Sequence, residues 1–167
     1  MRKTTKIILA TFYLILTFTP YVFPDYRTAL DAYKVGDYTT ALKKWRTLSE
    51  KDDPEAQYRL CTVYRRAHGV KKNNEKAFSY CKKSAKQGHI LAQVRLGLMY
   101  KKGEGTKKTL THALMWFNIA SDKGNSFAIK MGKKIKKTMS LSDIQKSLDL
   151  ASNWKRKQRN SSCTSKQ

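Results

Sequence analysis

Acidic residues are scarce in this sequence. Only 12 Asp and Glu stand against 35 Lys and Arg, leaving a formal charge of +23. Such an imbalance either attracts polyanions and anionic lipid headgroups through long-range fields or is simply solvated lysine spread over exposed helix faces. Proline (3) and glycine (8) are few, which excludes a low-complexity or linker-like chain, and 40% hydrophobic content can fill a core. Histidine is rarer still. His68, His89 and His112 have no metal-ligand spacing to the three cysteines, and no Cys-x-x-Cys occurs, so neither a metal nor a cofactor is expected. Ser79 and Cys81 offer nucleophiles, yet they and the histidines fall at scattered positions. No catalytic residues are assigned, and the reading is non-enzymatic.

A long hydrophobic run is also missing. The longest, Ile7 to Phe18, is shorter than the roughly 20 residues a membrane-spanning helix needs. Arg2, Lys3 and Lys6 precede it, and no acidic residue appears before Asp25. This is the pattern of a secretory signal peptide, although the small-x-small cleavage site is replaced by Thr19-Pro20-Tyr21-Val22-Phe23-Pro24. Residues 1–24 are therefore read as a signal peptide or an N-terminal anchor. The protein is expected to be exported, periplasmic or secreted, with residues 7–23 contacting the membrane if they are retained. Losing residues 1–24 removes three positive charges and no negative ones, so the remainder keeps +20.

What the sequence does contain is a repeat. A shift of 36 residues lays Ala56–Gly88 over Ala92–Gly124 with ten identities: Ala56/Ala92, Gln57/Gln93, Arg59/Arg95, Leu60/Leu96, Tyr64/Tyr100, Gly69/Gly105, Lys71/Lys107, Lys72/Lys108, Ala77/Ala113 and Gly88/Gly124. Chance gives about two, so the period decides the architecture. Each unit reads as two helices joined by a glycine-containing loop. Asp53 and Asn73 suit N-caps, Pro54 suits the first helical position, and Gly88 and Gly124 suit left-handed stops. Ala29, Tyr33, Gly36, Ala41 and Trp45 follow the same order upstream with a shorter loop. Downstream, Phe127, Ala128 and Met131 open another first helix. Ser142-Asp143-Ile144-Gln145 reads as a capping box for a last helix with Ile144, Leu148, Ala151 and Trp154 on its apolar face. The fold class is all-α, a right-handed α/α solenoid of about four helix hairpins over residues 25–157. A basic, polar, disordered tail is expected at 158–167.

The pattern Ala-x-x-x-Leu-(Gly)-x-x-Tyr, a Gly-x-Gly loop, Lys-Ala-x-x-Trp and a closing Gly resembles the Sel-one-like repeat, a relative of tetratricopeptide solenoids. The best copy is Ala92–Gly124, with Leu96-Gly97, Tyr100, Gly103-x-Gly105, Ala113, Trp116 and Gly124. The second copy departs from it, with Cys61 where the family prefers Gly and Ala67 in place of the first loop Gly; the third has His112 before its helix Ala instead of a basic residue. The stretch Leu141–Trp154 also resembles the terminal helix of small exported bacterial members. The resemblance implies a protein–protein interaction scaffold or adaptor in the bacterial envelope, or secreted; some secreted members bind cell-wall components or host proteins.

Two sets of residues stand out. Arg65, Arg66, Lys71 and Lys72 recur as Lys101, Lys102, Lys107 and Lys108, and stacked units would bring these loops side by side along one edge. That edge is either solvated surface or the basis of an alternative function, electrostatic binding of anionic lipid, lipopolysaccharide or an acidic partner. Nucleic acid is a poor partner, since no groove-reading motif is present. The second set is Cys61 and Cys81. They lie at similar height on antiparallel helices either side of the Gly69–Lys72 turn, so a disulfide is expected, the competing reading being two buried thiols. Cys163 is left over.

Overall fold

A computed structural model describes residues 24–164 of the 167-residue chain. The expected signal or anchor, and membrane contact through residues 7–23, lie outside the described residues. Among the described residues eight helices follow one another: α1 Pro24–Lys34, α2 Tyr38–Glu50, α3 Pro54–Arg66, α4 Asn74–Lys86, α5 Ile90–Lys102, α6 Leu110–Ser121, α7 Ser126–Lys136 and α8 Leu141–Thr164. No strand occurs among the described residues. Each helix packs on the next in sequence from α1 through α7, which is the topology of an α/α solenoid.

The caps show why the helices start where they do. The side chains of Asp37, Asp53, Asn73 and Asn125 accept from the amide three residues on, each satisfying a donor that the first turn leaves free. His89 performs the same service for α5 through Nδ1, at 3.1 Å from the amide of Ala92. The last helix opens earlier than the sequence suggests. Ser140 caps it, accepting from the Asp143 amide at 3.1 Å and donating to the Asp143 carboxylate at 2.8 Å. The reciprocal pair is thus Ser140-x-x-Asp143; Ile144, Ala151 and Trp154 face inward as expected, while Ser147 is buried beside Ala151 and Leu148 is exposed. The helix also continues to Thr164, through the polar stretch from 158 where a disordered tail is expected.

One identical pair is buried in both units but bonded differently in each. Gln57 and Gln93 are fully buried. Gln93 donates to the carbonyl of Ala85 at 3.2 Å, one of the last-turn carbonyls of α4 that the helix itself cannot satisfy. Gln57 is held between Asp52 and Gln87 instead. The second loop glycine of each unit seats against the unit before it. A Cβ on Gly69 would stand 2.4 Å from Tyr38 Cβ, and one on Gly105 would stand 2.0 Å from the carbonyl oxygen of Asn74. Tyr38 and Asn74 are themselves 36 residues apart and open α2 and α4, so the same contact is made twice.

Inside the hairpins, position 97 meets position 117. Gly97 lets the Phe117 ring close onto the α5 backbone, 2.8 Å from where a Cβ would lie. The repeat mates of this pair are Cys61 and Cys81. They are joined by a disulfide with Cα atoms 5.2 Å apart. A covalent pair therefore fills in α3–α4 the place that glycine and an aromatic ring fill in α5–α6.

The fourth helix pair is splayed. α8 lies chiefly on α6, where Trp154 meets Trp116 edge to face with ring centroids 5.7 Å apart, Lys155 pairs with Asp122 and Asn118 reaches Ser147. Trp154, Leu150 and Ala151 thereby join a cluster that also contains Cys61, Cys81, Leu96 and Met99.

Candidate functional site

Of the eight basic residues of the expected edge, Arg65 and Lys102 share Glu104 as a neighbour. Arg65, at the end of α3, is half-buried and faces Arg95, Arg66 and Glu104; burial, then the two neighbouring guanidiniums, push its pKa below the usual arginine value. Glu104 also pairs with Lys102 at 3.5 Å. Arg66, Lys107 and Lys108 are exposed, and Lys101 is half-buried.

Lys71 and Lys72 end the loop after α3. Together with Arg46, Tyr64, Val70, Asn73 and Lys76 they line a concavity of about 440 Å³ beside the start of α4. Arg46 Nη2 donates to the Tyr64 hydroxyl at 3.1 Å, and Lys76 Nζ lies over the Tyr64 ring, 5.6 Å from its centroid. A second concavity, also about 440 Å³, shares Arg46 and Val70 with the first and extends along α2 past Leu42, Lys43 and Thr47. A third, of about 340 Å³, shares Lys43 and Thr47 with the second and ends at Lys44 and Asp25, which pair at 2.9 Å. The first two meet at Arg46 and Val70 as one trough between α2 and the loop after α3, and the third lies on the α1 side of α2.

That loop is pinned onto α1 and α2. The Tyr33 hydroxyl and His68 Nδ1 are 2.7 Å apart, His68 stacks on Tyr38 with centroids 4.9 Å apart, and Gly69 rests on Tyr38. One unit later the equivalent place is occupied. The mates of Leu42, Tyr64 and Lys76 are Phe78, Tyr100 and His112; Phe78 meets Tyr100 edge to face, and His112 stacks on Tyr100. Burial, followed by Lys146 and Lys82, lowers the His112 pKa, so α8 brings a further cation over this position. Sequence reading missed Arg46, Lys43 and Lys76 as partners of Lys71 and Lys72. The available signal was that Arg46 and Lys82 are also 36 residues apart, so the basic periodicity extends from the loops onto the second helix.

A second polar cluster ties α1, α3 and α5. Glu55 accepts from Tyr26 at 3.0 Å and lies 2.8 Å from Arg59 and 2.6 Å from His89 Nε2. Because His89 Nδ1 already accepts the Ala92 amide, Nε2 carries the proton and donates to Glu55. The His89 bond, opposed by burial and aided by Tyr26 and Arg59, lowers the Glu55 pKa to about 2. All three imidazoles are thus engaged in caps or stacks. Among the described residues no group of three His, Cys, Asp or Glu is arranged to hold a metal ion, and no helix is long and apolar enough to cross a membrane.

The period, the paired glycines and the alanine and aromatic positions agree with comparison to known families: the Sel1 repeat matches residues 54–89 and again 90–125. The chain is a Sel1-like repeat protein. It is 39% identical over 54 residues to a sel1-like repeat-containing protein of Acanthamoeba polyphaga mimivirus, an alignment spanning 32% of this chain and 10% of that one. Among solved structures, a protective antigen present in uropathogenic Escherichia coli strains, displaying an SLR fold, matches with a TM-score of 0.75 and 25% identity, over 78% of this chain and 29% of that one. A Sel1 repeat protein from Oxalobacter formigenes matches with a TM-score of 0.64 and 27% identity, over 77% and 55% respectively. The Sel1-like chain thus spans from a tenth to about half the length of these proteins. Sel1 repeats are generally protein-interaction modules and typically non-enzymatic.

Proposed function

We propose that this Sel1-like chain is a non-enzymatic adaptor of the bacterial envelope or the secreted fraction, holding partner proteins on its stacked helices. The observation that carries the reading is the pair of consecutive Sel1 repeats over 54–125, flanked by helices that extend the same stack. Export is supported by the basic and then apolar start of the sequence, and by a disulfide within the repeats, since disulfides persist mainly in oxidising compartments. The sequence carries a formal charge of +23, so a partner held only by net charge would let go as salt screens the field, whereas a desolvated protein interface persists.

The test is affinity capture on the immobilised full chain from the native envelope fraction, eluted stepwise with salt and read by mass spectrometry. A defined protein retained at high salt supports the adaptor. Release of everything at moderate salt, together with equal retention on anionic vesicles, overturns it in favour of electrostatic envelope binding.

A further inference from the structure

We propose that the trough between α2 and the loop after α3 is a docking groove for an extended acidic segment of a partner protein. The proposal rests on the adaptor reading and states where, and by what chemistry, one partner is held.

Its walls carry the charge. Lys43 and Arg46 project from α2, Lys71 and Lys72 from the loop, and Lys76 from the first turn of α4. Among the described residues Lys43, Lys71, Lys72 and Lys76 have no ion-pair partner, and no carboxylate is among the residues that line the trough. The floor is different: Leu42 and Val70 line it, and Gly69 adds no side chain there. From Thr39 to Arg46 the α2 wall alone runs about 10 Å at 1.5 Å per residue. An extended strand rises about 3.3 Å per residue, so that wall matches about three residues, and the continuation to Lys76 takes more. Cations strung along a channel suit a chain whose carboxylates recur at intervals, while a single phosphate would need them to converge on one point. The apolar floor accepts the side chains that alternate with those carboxylates, because successive residues of an extended chain point to opposite sides. The Sel1 repeat one step further along has Phe78, Tyr100, His112 and the approaching Lys146 in the corresponding space, so the groove is specific to the α2–α4 region.

Fluorescence anisotropy of the full chain with a short labelled peptide alternating Glu and Leu tests this at low salt. Arg46→Glu with Lys72→Glu should weaken binding about tenfold or more, whereas Lys107→Glu with Lys108→Glu, an identical change in charge, should alter it by less than about twofold. A peptide alternating Glu and Ser should bind more weakly than the Glu–Leu peptide. Equal losses in the two charge variants, or no preference for the leucine peptide, overturn the groove. So does displacement of the peptide by inorganic phosphate at equal carboxylate and phosphate concentrations, or binding of anionic vesicles that responds to the groove variant while peptide binding does not. Circular dichroism checks folding; if the reversal variant unfolds, Arg46→Gln with Lys72→Gln replaces it, with a smaller loss expected in the same order. A salt-resistant partner captured undiminished by the groove variant would refute the groove and leave the adaptor standing.

Discussion

Ala67 closes α3 with φ 61° and ψ 32°, a left-handed conformation that alanine disfavours; its repeat mate is Gly103, with φ 76° and ψ 29°. For a non-glycine residue that conformation costs about 1–2 kcal/mol, and the extra freedom glycine brings to the unfolded chain offsets about 0.4–1 kcal/mol of the relief. Ala67 is exposed, so no packing is lost. Ala67→Gly should therefore stabilise the fold by about 0.5–1 kcal/mol, measured by denaturant unfolding; a neutral or destabilising result contradicts the strain argument. Glu55 gives a prediction in pH. Its carboxyl is held at about 2, against an ordinary 4.5. A depressed folded-state value means that the network stabilises fully above about pH 4.5 and progressively less as pH falls toward 2. A third of the side chain remains exposed, so screening makes the gain smaller than the shift taken at face value. In Glu55→Gln, stability near neutrality should drop and the acid limb between those values should flatten. An unchanged limb would show that the network contributes nothing.

At the scale of elements, the loop glycines set how one unit meets the next. Gly105 has φ +69°, and a Cβ there would meet backbone atoms of Asn74 and Glu75, which cannot swing aside like a side chain. Gly105→Ala should destabilise by about 2 kcal/mol or more, from left-handed strain plus displacement of the α4 start, and the thermal midpoint should fall accordingly. The helix content, the hairpin loops and the caps at Asp53 and Asn73 were legible because each rests on neighbours within a few residues. So was the opposition of Cys61 and Cys81, which follows from counting out from the turn. The place of α8 was less legible. Ser142 and Ser140 both suit a cap, and it takes the packing of Trp154 on Trp116 to bury Ser147 and leave Leu148 outside. The trough was hidden for the same reason: Arg46 and Lys72 lie 26 positions apart, and their approach depends on how His68 and Gly69 settle on the first hairpin.

Across the whole molecule, the packed interior is graded instead of divided unit by unit. One cluster contains the disulfide of the second unit, Leu96 and Trp116 of the third, and Ala151 of α8, with Trp154 against it. Trp154→Ala should cost about 2–4 kcal/mol, toward the lower end because the indole is only partly buried, and should lower the unfolding transition of the α3–α6 region together with that of α8. Separate transitions, with α8 melting alone, would show that the last helix is an appendage.

The seating of each loop glycine on the helix start before it has a consequence for how such a chain grows. The contact has a giver and a receiver, and α6 presents the next receiving position at Leu110, 36 residues beyond Asn74. The register there reaches Leu141, which is no glycine and projects into solvent at 86% exposure, while α8 turns back across α6. Duplication of one 36-residue cassette between α4 and α5 preserves every giver and receiver. The array can lengthen from within while its end stays shut.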